Sequence, residues 1–277
     1  MISDFIGVEY GRGATAGLVT AGPALAPRAI QKMFPNKVWT ILTPQPVNKR
    51  IWKRDRFADT MPIQRALYEN TPTERHIMIG GDHSLNFGHF AAVADKHISD
   101  DLCLVYIDAH LDAHTPKSSL AEASGAPHGT NVHALTGDGD KRWLALQKKI
   151  PALKPENIFY LGARSYEPAE LKFVRENNIY MKSPAQMTHN INKIINEVRK
   201  QIGKRKFVLS FDFDAIDPKY FPDVLVPESD GISPTTAAKL ITAFRDAVAI
   251  EFVEYSPTGD TQSADIVKKL IGIAMEK

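Results

Sequence analysis

The chain has 277 residues, with 34 Lys plus Arg against 32 Asp plus Glu and a formal net charge of +2. That balance argues against a nucleic-acid binder driven by bulk charge, which concentrates cationic residues well beyond neutrality. With 43% hydrophobic and 24% charged residues, the composition is that of a folded globular protein, and one α/β domain spanning 1–277 fits the length.

The opening MISDFIGVEYGRG has no cationic stretch leading into an apolar one, and no run of 18 apolar residues occurs anywhere. Secretion and membrane spanning are disfavoured, and a cytoplasmic location is expected. Along the chain, short apolar runs rich in β-branched and aromatic residues read as strands: VWTIL (38–42), HIMIG (76–80), LCLVYID (102–108), NIFYLGA (157–163), FVLSFDFD (207–214) and EFVEYSP (251–257). Several are apolar on consecutive positions, as strands covered on both faces are. The lone Cys103 falls in one of these runs and reads as a small buried hydrophobe. Helical periodicity marks the segments 84–97, 168–178, 191–202, 233–249 and 263–277 between and after them. This alternation predicts a mainly parallel sheet with helices on both sides.

In such folds the chemistry gathers beyond the carboxyl ends of the strands. Each of four apolar runs leads into acidic or histidine residues: GGDHS (80–84), DAHLDAH (108–114), FDFDAIDP (211–218), and Glu254 within the last run. In extended backbone, residues two apart share a face, so Asp108, His110 and Asp112 are expected to project together, as are Asp212 and Asp214. His83 adds a ligand from a third strand end, where Gly80 and Gly81 are expected to let the chain turn tightly. Four carboxylates and two imidazoles in one cavity need cationic compensation. Two divalent cations balance four carboxylates. Oxygen-rich ligation without thiolate favours Mn²⁺, although Zn²⁺, Fe²⁺ or Co²⁺ could also be selected.

These residues resemble the ureohydrolase (arginase and agmatinase) family. Its three signatures read here as Gly80-Gly81-Asp82-His83-Ser84, Asp108-Ala109-His110-Leu111-Asp112, and Ser210-Phe211-Asp212-Phe213-Asp214 running on to Asp217-Pro218. The start of the chain looks like the family's first strand and glycine-rich loop. The resemblance implies a three-layer α/β/α sandwich with a binuclear Mn²⁺ site held by His83, Asp108, His110, Asp112, Asp212 and Asp214, usually in trimers or hexamers. It also implies catalytic roles for His128, Asp112 and Glu254. Glu254 would hold the guanidinium group, and Asp112 would pass a proton to the leaving amine. His128 would shuttle protons with a pKa near neutrality.

The family resemblance places substrate contacts at His114, Ser124, Glu167 and Glu254. Here the chain departs from arginases: His114 and Ala126 stand where those enzymes tend to carry Asn, and Glu167 stands where they carry Asp. Val224-Leu225-Val226-Pro227-Glu228-Ser229-Asp230-Gly231 replaces the usual Gly-Thr-Pro stretch. L-Arginine, cleaved to L-ornithine and urea, is the first expectation. Agmatine, guanidinobutyrate and N-formimino-glutamate are alternatives. A catalytically silent member and a two-metal phosphoesterase are the competing classes. His89 and His97 read as packing or surface residues, His76 and His189 have no partner pattern, and His133 is left open.

Overall fold

The structure is a computed structural model and describes residues 4–14, 21–118 and 125–276. Eight parallel strands form its centre: β1 (Asp4–Val8), β2 (Val38–Leu42), β3 (His76–Ile79), β4 (Cys103–Ile107), β5 (Ile158–Leu161), β6 (Tyr180–Lys182), β7 (Phe207–Asp212) and β8 (Ala249–Val253). Their order across the sheet is β2-β1-β3-β8-β7-β4-β5-β6. All six runs expected as strands are found. To them are added the short edge strand β6, and β1, which the family resemblance had marked.

Period-2 alternation divides the core. On one side, Val105, Ile107, Leu209, Phe211, Ile250 and Phe252 pack with residues of the helices Ala26–Met33, Pro184–Ile202, Pro234–Phe244 and Thr261–Met275. On the other, Leu104, Tyr106, Val208 and Ala249 pack with Phe87, Phe90, Ala91 and Val93 of the helix Asn86–Lys96. Helices thus cover both faces, which is why β4 is apolar at all five positions. Each large apolar side chain buried this way contributes about 1.5–3 kcal/mol.

The helix expected over 233–249 ends at Phe244, because Ala249 already opens β8. Its apolar run therefore belongs to two elements. No helix among the described residues is long and apolar enough to cross a membrane.

His89 and His76 are more than packing. His89 Nδ1 lies 2.5 Å from Glu251 Oε1, Asn86 Nδ2 donates to Glu251 Oε2 at 2.6 Å, and the Nε2 atoms of His76 and His89 are 2.7 Å apart. His76 Nδ1 donates to the Glu74 carbonyl at 2.8 Å. Two neutral rings donating at both Nδ1 atoms would leave two lone pairs facing each other. Burial and the neighbouring His89 push the His76 pKa down to about 3.

Candidate metal centre

The four strands expected to carry chemistry are the adjacent four at the middle of the sheet, β3-β8-β7-β4. Asp212 ends β7 and pairs in register with Val253, which precedes Glu254, while Ile107 pairs with Phe211. Asp108, Asp212 and Glu254 consequently leave neighbouring strands at one level.

Ligand atoms of His83, Asp108 and Asp212 lie within 4.8 Å of one another, and so do those of Asp108, His110 and Asp214. Asp108 belongs to both groups. His83 Nδ1 is 2.8 Å from Asp108, 3.0 Å from Asp212 and 3.3 Å from Asp112, while His110 Nδ1 is 2.9 Å from Asp214. All six expected ligands are brought together. Extended alternation explains this only in part: Asp214 lies in a 3-10 turn and Asp112 has a left-handed φ of 48°. The 108–112 segment leaves the strand and curls over the site.

Neighbouring groups orient these side chains. Tyr106 stacks on His83 with ring centroids 4.6 Å apart, and its hydroxyl donates to Asp112 Oδ2 at 2.7 Å. Asn131 Nδ2 donates to the same oxygen at 3.1 Å. Ser210 Oγ lies 2.9 Å from His83 Nε2. Backbone amides fix Asp108 and Asp214 through His110 N (2.6 Å) and Ala109 N (3.0 Å). Tyr106 and Asn131 carry no pattern of their own in the sequence, whereas Ser210 opens the third signature; Ser210 and Tyr106 each fall two residues before a ligand. The Gly80-Gly81 pair works differently from expectation. Neither has a positive φ, and a Cβ on Gly81 would sit 1.5 Å from the Tyr10 carbonyl oxygen. Gly81 is required by close approach of backbone rather than by a turn.

Without cations, protons have to offset the charge crowded at the site. Burial, with the charge of Asp108, pushes Asp112 up to about 7. Burial, then Asp214 and Asp108, raises Asp212 well above the usual range, and burial followed by Asp108 raises Asp214. Burial opposes charge on His83, yet Asp108 and Asp212 outweigh it and raise that ring well above its ordinary value. Asp108 Oδ2 is buried, with His83 Nδ1 2.8 Å away but no well-aligned hydrogen bond. Converging carboxylates and imidazole nitrogens, in two groups that both include Asp108, fit a pair of divalent cations.

Five of the six ligands, all but Asp108, line a cavity of about 300 Å³, whose walls also include His114, His128, Tyr166, Glu167, Glu170, Val226 and Glu254. Glu254, at a left-handed φ of 64°, accepts the His83 amide at 2.8 Å through Oε1, which leaves Oε2 for a further partner. Burial and Asp82 raise its pKa well above the carboxylate range. His128 Nδ1 donates to the Gly13 carbonyl at 3.1 Å, leaving Nε2 as an acceptor. Burial pushes His128 down to about 4 rather than near neutrality, so it is a neutral imidazole at physiological pH. His114 is only 1% exposed and is turned inward, with Nε2 3.2 Å from Glu170 and 3.8 Å from Glu167. Ser124 lies outside the described residues. His133 is a packing residue, stacked on Phe173 with centroids 4.5 Å apart and bonded through Nδ1 to the Ala113 carbonyl.

A family model described as the Arginase family matches residues 19–275. Arginase from Bacillus subtilis (strain 168) is 32% identical over 208 residues, covering 71% of this chain and 68% of its own. A crystal structure of arginase from Bacillus subtilis matches with a TM-score of 0.85 at 24% identity, covering 100% of this chain and 99% of that one. Formimidoylglutamase from Bacillus subtilis subsp. subtilis str. 168 matches with a TM-score of 0.73 at 16% identity, covering 99% and 86%. The two structural matches show a shared fold. The fold and the family match together define a metal-dependent hydrolase of the ureohydrolase class. Within that class, the chain belongs to the arginase family.

Proposed function

We propose that this chain hydrolyses the guanidino carbon–nitrogen bond of a small substrate, L-arginine to L-ornithine and urea, with two Mn²⁺ ions held by His83, Asp108, His110, Asp112, Asp212 and Asp214. The observation that carries the proposal is a pair of ligand groups that share Asp108 beside a cavity that Glu254 also lines. The relative named arginase supports L-arginine as substrate. When bound, such ions lower the pKa of water and so supply a nucleophile at neutral pH.

The side chains then divide the remaining work. Glu254 offers Oε2 to the guanidinium, while its Oε1 stays tied to the His83 amide, so the substrate is oriented against the ligand backbone itself. Asp112 has Oδ2 fixed by Tyr106 and Asn131. Its Oδ1 can therefore hold a proton in a defined position and deliver it to the leaving amine. His128 presents Nε2 as the proton acceptor, because its Nδ1–H bond to the Gly13 carbonyl fixes that tautomer of the neutral ring. Both Asp112 and Glu254 occupy left-handed backbone, a conformation costing on the order of 1 kcal/mol that marks functional positions.

A second reading is favoured by one feature of the walls. The described lining contains no lysine or arginine, while Glu167 and Glu170 face the far end, an arrangement that suits a substrate ending in an amine without a carboxylate, as agmatine does. We place the chain in the cytoplasm as a single domain of residues 1–277 and as a homo-oligomer, a trimer or hexamer. Urea release measured in parallel on L-arginine, agmatine and guanidinobutyrate decides between the substrates. Turnover of agmatine alone replaces the first reading by the second, and no urea from any guanidino compound overturns both.

A further inference from the structure

We propose that Glu228 is a positioning residue for His110, its carboxylate facing the Nε2–H edge of that imidazole so that Nδ1 is turned toward Asp108 and Asp214 and the cation these three would hold. The inference rests on the two-cation reading of the site. Glu228 belongs to the segment 224–231, which replaces the stretch usual in the family and to which the chemistry above assigns no task.

That segment is fastened to the metal-bearing turn. Arg164 Nη2 donates to the Glu228 carbonyl at 2.7 Å and to the Asp214 carbonyl at 2.8 Å, while its Nε donates to the Ser229 carbonyl at 2.8 Å. A single guanidinium thus ties the backbone of Glu228 to that of a ligand. Ser165 Oγ donates to Glu228 Oε1 at 3.0 Å, and that oxygen lies 3.7 Å from His110 Nε2. This separation is longer than a hydrogen bond, so in this arrangement the interaction is one of charge with the ring's N–H edge.

An imidazole that ligates through Nδ1 keeps its single proton on Nε2, and that proton needs an acceptor. Such outer partners fix the ring and raise its basicity as a ligand. The two histidines are served unequally. His83 has the neutral, buried Ser210 hydroxyl at 2.9 Å, whereas His110 has an anionic carboxylate. The carboxylate strengthens the ligand field of one cation and leaves the other to its own ligands. Removing it should therefore weaken the two bound metals unequally, which a purely structural loop residue would not do.

The test uses the full chain and Mn²⁺ alone. Binding is measured by calorimetry and by competition with a chelator, for wild type, Glu228→Gln and Glu228→Ala, alongside thermal midpoints of the metal-free proteins. Wild type should bind two ions per chain. Both variants should hold one of them about 10- to 100-fold more weakly, the other within about twofold, with unchanged metal-free midpoints. Two affinities unchanged in both variants overturn the role of Glu228 while sparing the two-cation site. Equal weakening of both ions with a lowered midpoint overturns it in favour of loop support. A wild-type protein that binds fewer than two ions defeats the reading on which the inference rests.

Discussion

Replacing Glu254 separates substrate holding from metal holding. Glu254 as a whole is 7% exposed, and its Oε1 is committed to the His83 amide at 2.8 Å, so one oxygen is free for the guanidinium. A buried charge-assisted hydrogen bond contributes about 1.5–3 kcal/mol, and about 3 kcal/mol corresponds to roughly two powers of ten in kcat/KM. Glu254→Gln keeps a carbonyl oxygen for the His83 amide but puts an NH2 donor where the free carboxylate oxygen would accept the guanidinium N–H. It should lose about a hundredfold in kcat/KM for a guanidino substrate while binding two Mn²⁺ per chain. Glu254→Ala also strands the His83 amide, at a further cost of about 1–3 kcal/mol in stability. Urea release under substrate-limited conditions, paired with metal analysis of the same samples, reads both quantities. Retention of wild-type rate by Glu254→Gln, or loss of metal with rate, would refute the role assigned to this carboxylate.

Asp214→Ala and Asp112→Ala should each lose bound metal together with rate, seen as fewer ions per chain after dialysis; full occupancy in either variant removes that residue from the ligand set. Gly81→Ala should fail to keep the native structure, since its Cβ would collide with the Tyr10 carbonyl; a wild-type circular dichroism melt would contradict the close approach described. Glu251→Ala breaks a fully buried acid–imidazole group, which costs about 3–5 kcal/mol and lowers the thermal midpoint by roughly 5–10 °C in a chain of this length. A midpoint within about 1 °C of wild type would show that the group is not coupled to stability. For Asp112, the folded pKa of about 7 lies above the usual 3.8, so the folded chain holds a proton there that the unfolded chain releases. That stabilisation is full below about pH 4 and is lost as the pH rises through about 7. Metal-free wild type should therefore lose stability relative to Asp112→Asn across that window, and parallel melting curves would refute the shift.

The three-layer parallel fold was legible because strands buried on both faces read as continuous apolar runs. Those runs led directly into the six ligands, so topology and chemistry were written in the same segments. β6 went unread because it is a three-residue edge strand with partly exposed positions. The pairing of Asp112 with Tyr106 and Asn131 went unread because the contact depends on a left-handed residue that no spacing rule supplies. His128 was expected near neutrality because its local sequence carries no sign of the burial that lowers it. His89 and His76 were hidden for a related reason: their partner Glu251 is 162 residues from His89, on another element. Long-range polar pairing of this kind leaves no periodicity to read.

On the proposed function, two cations held by ligand groups that share Asp108 enable hydrolysis of a guanidino group. The most direct measurement is urea released from L-arginine, agmatine and guanidinobutyrate by the metal-stripped protein and by the same protein reloaded with Mn²⁺. Urea should appear from at least one of these substrates, only on reloading, and saturate at two ions per chain. A protein that carries two Mn²⁺ and releases urea from none of them would contradict the proposed function.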